Sequence, residues 1–194
     1  MSAAVRLCTA FLLALAVTAS QAGESGGGAK SELESWQRFG ASVWRYDTTG
    51  VEAGPGEEPG YLVSVDAYDN FHLSIDFWVA DGTNSGIFIR CGKPAVLDDV
   101  NSENCLEVNI WDNHPNQDFR TGSIVTKGPP LVHIDSIGHW NTYEIDARDA
   151  HVEVRLNGEL TAVLDDDIRL TGYVALQYAG KGLLRFRNLR IERY

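Results

Sequence analysis

Hydrophobic residues occupy every second position along most of this chain. In residues 71–79, five apolar side chains alternate with three polar ones and a tryptophan. Because successive side chains of a β-strand point to opposite faces, a period of two predicts strands with one buried face. The same alternation, or a short apolar run, recurs in the segments 87–90, 106–111, 142–147, 152–162, 173–178 and 184–191.

Turn signals separate these segments. The pair Asn157-Gly158 lies between two alternating runs, and it is a strong hairpin signal because both central residues of a type I′ turn need a positive φ. Clusters of Gly, Asp, Asn and Pro fill the other intervals. Many short strands with almost no helical pattern predict an all-β fold, an antiparallel β-sandwich in which two sheets share their apolar faces.

The N-terminal residues have the pattern of an export signal. Arg6 supplies a positive charge, residues 7–17 form a short apolar run, and small residues lie near position 22. The run is shorter than the ~20 residues that span a bilayer, so we expect no transmembrane segment after cleavage. We predict a secreted or periplasmic protein with a signal peptide at 1–22, a flexible glycine-rich linker at 23–30 and a single domain at 31–194.

The charge of the chain narrows the classes of partner. The chain carries 27 Asp and Glu against 16 Lys and Arg, and removal of residues 1–22, whose only charge is Arg6, takes the net charge from −11 to −12. Such acidity argues against nucleic-acid binding, because phosphate contacts need clustered cations. It is compatible with a neutral ligand such as a sugar.

Two cysteines, Cys91 and Cys105, remain after signal cleavage. In an oxidising compartment, cysteines this close in sequence usually pair, so we predict a disulfide; two unpaired core thiols are the alternative. A structural zinc site is disfavoured, because no further cysteine and no histidine lies at ligand spacing.

The segment 107–114 carries the densest candidate chemistry. Residues two apart on a strand share a face, so Glu107, Asn109 and Trp111 are predicted to project together. An indole ring packs on the C–H face of a pyranose while a carboxylate and an amide bond its hydroxyls, which predicts a sugar-binding platform. An ordinary solvated strand face is the alternative. Asp112 and His114 follow where the strand ends, and a histidine there is a candidate general base or metal ligand.

Arg90 and Gln177 are predicted to join this platform. Arg90 alternates with two isoleucines, so it should point to the polar side of its strand. A disulfide between Cys91 and Cys105 would hold that strand beside the strand of Glu107. We therefore expect the side chains at 90, 107, 109 and 112 to surround one open hollow, with Gln177 on the same face.

Six short motifs occur in order along the chain. They are 84–90 (NSGIFIR), 106–113 (LEVNIWDN), 138–143 (GHWNTY), 156–158 (LNG), 174–177 (VALQ) and 186–191 (FRNLRI). This series resembles the 3-keto-disaccharide hydrolase (3-keto-glycoside-cleaving) family, and the resemblance covers nearly all of the chain after the signal. It implies a jelly-roll sandwich of the concanavalin A-like lectin/glucanase type.

The resemblance also implies an activity, the cleavage of a glycosidic bond in a sugar already oxidised at carbon 3. A ketone at C3 acidifies the C2 proton, a base removes that proton, the C1 substituent leaves, and water adds afterwards. Carried onto this chain, the family pattern points to Glu107 among other residues, and we assign proton transfer to Glu107 or His114. It implies binding of the enolate or of sugar hydroxyls by Arg90 and Asn109.

The family pattern implies further substrate contacts at Asp112 and Gln177, beside the Trp111 ring. A divalent metal ion is left open as a cofactor, with Asp112 and His114 as candidate ligands. One departure concerns the motif at 174–177, because family members often carry a histidine soon after the Leu-Gln pair, whereas Tyr178-Ala179 follows here.

Two other interpretations stay open. The spacing Glu107-x-Asn109-x-x-Asp112 is similar to a degraded form of the acid pattern in laminarinase-type glucanases of the same fold, whose retaining mechanism needs two carboxylates about 5–5.5 Å apart. The other interpretation is a non-catalytic, lectin-like sugar-binding domain, because a fold does not fix a function. A carbohydrate ligand is common to all three hypotheses, and the sequence leaves the oligomeric state open.

Overall fold

The computed structural model describes residues 33–194, and these residues form twelve β-strands. In chain order the strands are β1 Gln37–Gly40, β2 Trp44–Tyr46, β3 Gly50–Ala53, β4 Gly60–Tyr68, β5 Phe71–Val79, β6 Thr83–Cys91, β7 Leu106–Ile110, β8 Trp140–Arg148, β9 His151–Leu156, β10 Glu159–Asp165, β11 Gly172–Gly180 and β12 Leu184–Arg193. Short 3-10 turns lie at Leu97–Asp99 and Gln117–Phe119. The predicted signal peptide at 1–22 and linker at 23–30 lie outside the described residues.

The strands form two sheets. One sheet has five strands in the order β1-β4-β11-β6-β7, and the other has seven in the order β10-β9-β8-β5-β12-β3-β2. All of these neighbours pair antiparallel. Consecutive strands cross repeatedly between the sheets, for example from β4 to β5 and from β5 to β6. This architecture confirms the predicted all-β antiparallel sandwich.

The strand β5 shows how the sequence builds the core. Its five odd-numbered residues from Phe71 to Val79 are buried, whereas the residues between them are half-buried. The buried side chains pack in one cluster with the inward residues of the five-stranded sheet. Full burial of such side chains contributes about 1.5–3 kcal/mol each, so the alternation fixes which face of each strand turns inward.

The predicted hairpin connects β9 and β10. Asn157 and Gly158 have φ values of 53° and 84°, as a type I′ turn requires. The Asn157 side chain also accepts from the Thr142 amide at 2.9 Å and donates to Asn141 Oδ1 at 2.9 Å, which ties the turn to β8. The hairpin prediction is confirmed.

A disulfide joins Cys91, the last residue of β6, to Cys105, directly before β7, which confirms the predicted pair. It closes the connecting segment 92–104 at its base, and we call this segment the disulfide loop. Val100 of the loop is buried against the outer face of the five-stranded sheet. Within residues 33–194, no helix has the length and apolar character needed to cross a membrane.

Candidate functional site

The outer face of the five-stranded sheet, which we call the site face, carries the candidate chemistry. Residues that pair across neighbouring strands point to the same side, so the side chains form transverse rows. One row consists, from β4 to β7, of Tyr61, Gln177, Gly86 and Asn109. The next row consists of Val63, Ala175, Phe88 and Glu107. Glu107 and Gln177 thus share the site face, one row and two strands apart.

Glu107 is half-buried on the site face. The Ser102 hydroxyl donates a hydrogen bond to its Oε2 atom. Its Oε1 atom lies over Gly86, where a Cβ would stand 3.4 Å from it. Burial raises the pKa of the Glu107 carboxyl above its ordinary value, and the hydrogen bond from Ser102 opposes part of this rise. A carboxylate with a raised pKa is a stronger base, which suits it to proton abstraction.

Gln177 and Tyr61 form a pair in the row beside Glu107. Gln177 Nε2 donates to the Tyr61 hydroxyl at 3.0 Å, so the phenol oxygen accepts and its own hydrogen remains available. Burial raises the pKa of the Tyr61 phenol and the nearby Glu107 charge adds to the rise, so the phenol keeps its proton at neutral pH. Gln177 Oε1 is buried and has no hydrogen-bond partner among the described residues. The pair therefore offers the phenol hydrogen as a donor.

Trp111 lies beyond the end of β7, four residues and roughly 13 Å along the strand direction from Glu107. The His114 ring meets the indole edge-on with 4.5 Å between centroids, and Phe119 lies 5.5 Å from His114. His114 Nδ1 lies 2.8 Å from the carbonyl oxygen and 3.0 Å from the amide nitrogen of Asn116. These contacts engage Nδ1 and leave Nε2 as the ring nitrogen available for proton transfer.

Asn109 belongs to the site-face row by register, but its side chain is not available to a ligand. It is only 2% exposed. Its Nδ2 donates to the carbonyl of Phe119, and its Oδ1 accepts from the backbone amide of Ile110 at 2.9 Å. The backbone of Asn109 also pairs with residues 122 and 123, which extend the sheet past β7. Asn109 therefore anchors the segment after the 3-10 turn at 117–119.

Asp112 is 8% exposed and its carboxylate is fully engaged. Oδ1 accepts from the hydroxyls of Thr121 and Ser136. Oδ2 accepts from the backbone amides of Ser136 at 2.6 Å and Ile137 at 3.2 Å. Four donors satisfy both oxygens, so Asp112 joins the segments around residues 121 and 136 rather than facing a ligand.

The residues named as candidate metal ligands do not fit a divalent ion. Such an ion needs lone pairs directed to one point, and those of Asp112 already accept four hydrogen bonds. His114 contributes one free nitrogen and stands against aromatic rings. Within residues 33–194, no three His, Cys, Asp or Glu side chains come together in a group that could hold a metal.

Arg90 lies away from the site face. It is 1% exposed, and its guanidinium donates to the carbonyls of Arg169 at 2.9 Å and Asp69 at 3.3 Å. Its φ is 54°, and the register between β6 and β11 shifts beside it, so a bulge ends the alternation from which its direction was predicted. Ser85 pairs with Ile110, which puts Arg90 and Asp112 at opposite ends of the sheet, roughly 20 Å apart.

The structure thus brings Glu107 and Gln177 onto one face with Trp111 at its end, and it does not gather 90, 107, 109 and 112 around one hollow. Sequence reasoning missed Tyr61 and Ser102. Ser102 stands three residues before Cys105, so the disulfide prediction was the signal that could have placed it near Glu107. Tyr61 reaches Gln177 only through the pairing of β4 with β11, for which the sequence carries no local signal.

Comparison with solved structures identifies the fold. A candidate glycosyl hydrolase from Parabacteroides distasonis ATCC 8503 superimposes with a TM-score of 0.67 over 78% of this chain and 90% of its own, at 24% identity. A second candidate glycosyl hydrolase from the same organism gives 0.66 over 78% and 83%, at 19% identity. The carbohydrate-binding module CBM66 from Bacillus subtilis gives 0.60 over 81% and 94%, at 16% identity. At these identities the likeness establishes the sandwich fold alone.

Comparison at the level of sequence identifies the family. No curated protein sequence matches the chain. A family model described as a 3-keto-alpha-glucoside-1,2-lyase-like domain matches residues 28–192, which is most of the chain and confirms the resemblance found in its motifs. This chain therefore belongs to the family of 3-keto-alpha-glucoside-1,2-lyase-like domains.

Proposed function

We propose that this protein cleaves the glycosidic bond of a sugar oxidised at carbon 3, and that it does so on the site face with Glu107 as the base. The observation that carries the proposal is the state of the Glu107 carboxylate. It is half-buried, its pKa is raised by burial, and it accepts a single side-chain hydrogen bond, from Ser102. Such a perturbed carboxylate is typical of a catalytic base.

The reaction begins at carbon 2 of the sugar. Glu107 takes the C2 proton, and the electron pair of the C–H bond forms an enolate on the C3 oxygen. The enolate collapses to a C1=C2 double bond conjugated with the restored ketone, and the C1–O bond breaks with its electron pair on the departing oxygen. The departing oxygen receives the proton that Glu107 holds. Addition of water, with hydroxyl to C1 and hydrogen to C2, completes a net hydrolysis.

Two side chains of the site face are suited to hold the substrate, Gln177 two strands and Tyr61 three strands from Glu107. The free hydrogen of the Tyr61 phenol is a donor for the enolate oxygen, and a donor placed where charge develops stabilises the transition state. Gln177 holds that phenol through its Nε2 hydrogen bond, and its own Oε1 is buried. Tyr61 and Gln177 thereby take the part that the resemblance implied for Arg90 and Asn109. Trp111 is placed to stack on the second ring of a disaccharide.

The test is an assay with a 3-keto-disaccharide and its unoxidised parent as substrates. We expect release from the keto sugar only, and no change on addition of a chelator. Glu107→Gln should lower kcat by roughly 10²–10⁴-fold, because general base catalysis contributes about that much. The matched control is Glu103→Gln, which neutralises an exposed carboxylate of the disulfide loop and should retain full activity. Release from the parent sugar at an equal rate would reject the proposal in favour of an ordinary glycosidase.

A second candidate function is non-catalytic binding of a saccharide. The fold is shared with a carbohydrate-binding module, and Trp111 with His114 and Phe119 supplies aromatic rings at the end of the site face. Binding of the disaccharide without release, unchanged in Glu107→Gln, would favour this function over the first.

The place of action that we propose is outside the cytoplasm, secreted or periplasmic. The disulfide between Cys91 and Cys105 supports it, because disulfides persist mainly in oxidising compartments. Fractionation of cells that express the full chain, with detection of the processed N-terminus, tests this location.

A further inference from the structure

The disulfide loop is packed down onto the site face rather than standing free in solvent. Val100 is 2% exposed and Leu97 is partly buried, and both pack with Phe88 and Tyr61 on the outer side of the sheet. The cluster includes the two sulfur-bridged residues at the base of the loop. The position of the loop is therefore fixed both by a covalent link and by apolar contacts with side chains that line the site face.

Within the loop, side chains hold the turn 101–105 in one conformation. Asn101 Oδ1 accepts from the backbone amides of Glu103 at 2.8 Å and Asn104 at 2.9 Å, and Asn101 Nδ2 donates to the carbonyl of Asp98 at 2.6 Å. The Cys105 amide donates to the Asn101 carbonyl at 2.9 Å. These bonds leave Ser102 at the crest of the turn with its hydroxyl directed at Glu107 Oε2.

We propose that Ser102 is a positioning residue, delivered by the disulfide loop, that fixes the Glu107 carboxylate with Oε1 directed over Gly86. This assignment rests on the function proposed above. Oε1 lies beside Gly86, where a Cβ would be in ordinary van der Waals contact with it at 3.4 Å. One oxygen is thereby tied to the loop, and the other is presented to the substrate as the proton acceptor.

Apart from the Ser102 hydroxyl, the side chains that face Glu107 from the neighbouring strands are mainly uncharged. The strand β4 presents the titratable phenol of Tyr61, on which the charges of Glu107 and Asp98 both act. The strands β6 and β11 present Gly86, Phe88 and Ala175, which carry no charge. Burial raises the pKa of Glu107, and the Ser102 hydrogen bond is the interaction that lowers it.

The test is the pH profile of Ser102→Ala, with Ser102→Thr as the conservative variant. Loss of a bond that favours the ionised form should move the acid limb of kcat to higher pH by about one unit, and should lower kcat at neutral pH about ten-fold with little change in KM. Threonine should restore both. Ser74→Ala, on the outer face of the other sheet, is the matched control and should leave the profile unchanged. An unshifted acid limb in active Ser102→Ala overturns the assignment.

A direct titration separates this assignment from the proposed function. In protein with ¹³C-labelled glutamate side chains, Glu107 is identified by the signal that Glu107→Gln removes, and its titration is compared between wild type and Ser102→Ala. If the wild type does not cleave the keto sugar, but the pKa of Glu107 is higher in Ser102→Ala than in the wild type, the proposed function is rejected and the Ser102–Glu107 contact is retained. An unchanged titration rejects the positioning role whatever the activity.

Discussion

Two carboxylates of the segment 107–112 differ in how their oxygens are engaged. Glu107 accepts one side-chain hydrogen bond and keeps Oε1 directed over the sheet. Asp112 accepts four hydrogen bonds and is almost fully buried. Both side chains end in a carboxylate, so the difference in their roles comes from their hydrogen-bond partners and their burial. These decide whether a carboxylate can transfer a proton or only holds two segments together.

The structural role of Asp112 is tested by Asp112→Asn. The asparagine amide keeps one acceptor oxygen, but its NH2 group replaces the other. That NH2 faces the hydroxyl and amide donors of residues 121, 136 and 137, so at least one buried donor loses its partner. We expect a loss of about 2–3 kcal/mol in the free energy of unfolding, measured in urea. The control is Asp118→Asn, which is exposed and should change stability by less than about 0.5 kcal/mol. Full stability with abolished activity would instead assign Asp112 to ligand binding.

At the scale of elements, β5, with one buried face, was predictable, whereas β4, buried on both faces through residues 61–64, was not. The strand β5 was predicted with its observed bounds, because its alternation directly reflects burial. In β4 the residues Tyr61, Leu62, Val63 and Ser64 are all buried, since the core covers one side and the disulfide-loop cluster covers the other. Burial on both sides removes the period of two, and with it the local signal for β4.

The same limit explains what could be predicted of the site. Glu107 lies on the predicted face because β7 is regular from Leu106 to Ile110, and Trp111 follows directly after that strand. Arg90 was misplaced because a bulge, with φ of 54°, interrupts the alternation, and such a break depends on pairing with β11 rather than on the residues of β6. Contacts that depend on long-range pairing therefore lay beyond the sequence.

Removal of the disulfide that closes the disulfide loop should change both the stability of the protein and its activity. For a loop of about 15 residues, the double variant Cys91→Ser/Cys105→Ser should lose roughly 3 kcal/mol of unfolding free energy. Because the loop also delivers Ser102, the acid limb of kcat should move to higher pH, as in Ser102→Ala. Urea unfolding and the pH profile measure the two effects. Wild-type protein unfolded with a reductant should match the variant in stability, and an unchanged midpoint in both would contradict a stabilising role for the bridge.

At the scale of the whole molecule, the tryptophans on the two outer faces of the sandwich have different contact partners. On the seven-stranded sheet, Trp78 and Trp140 are cross-strand neighbours. The guanidinium carbon of Arg187 lies 3.8 Å from the Trp140 ring centroid, and that of Arg185 lies 5.5 Å from Trp78. These rings already have cationic partners from their own sheet. Trp111, at the end of the site face, instead meets the His114 ring at an interplanar angle of 75° and is half-buried.

We therefore predict that the half-buried Trp111 and the exposed Trp140 contribute unequally to substrate binding. Trp111→Ala should raise KM for the 3-keto-disaccharide about ten-fold with a smaller effect on kcat, because stacking on a non-reacting ring stabilises ground state and transition state alike. Trp140→Ala removes a tryptophan that is 36% exposed on the opposite side of the sandwich, and it should leave both constants unchanged. Steady-state kinetics of the two variants, with circular dichroism to check folding, make the comparison. A rise in KM in Trp140→Ala alone would indicate that the substrate binds on the seven-stranded sheet. That result would contradict the assignment of Glu107 as the base.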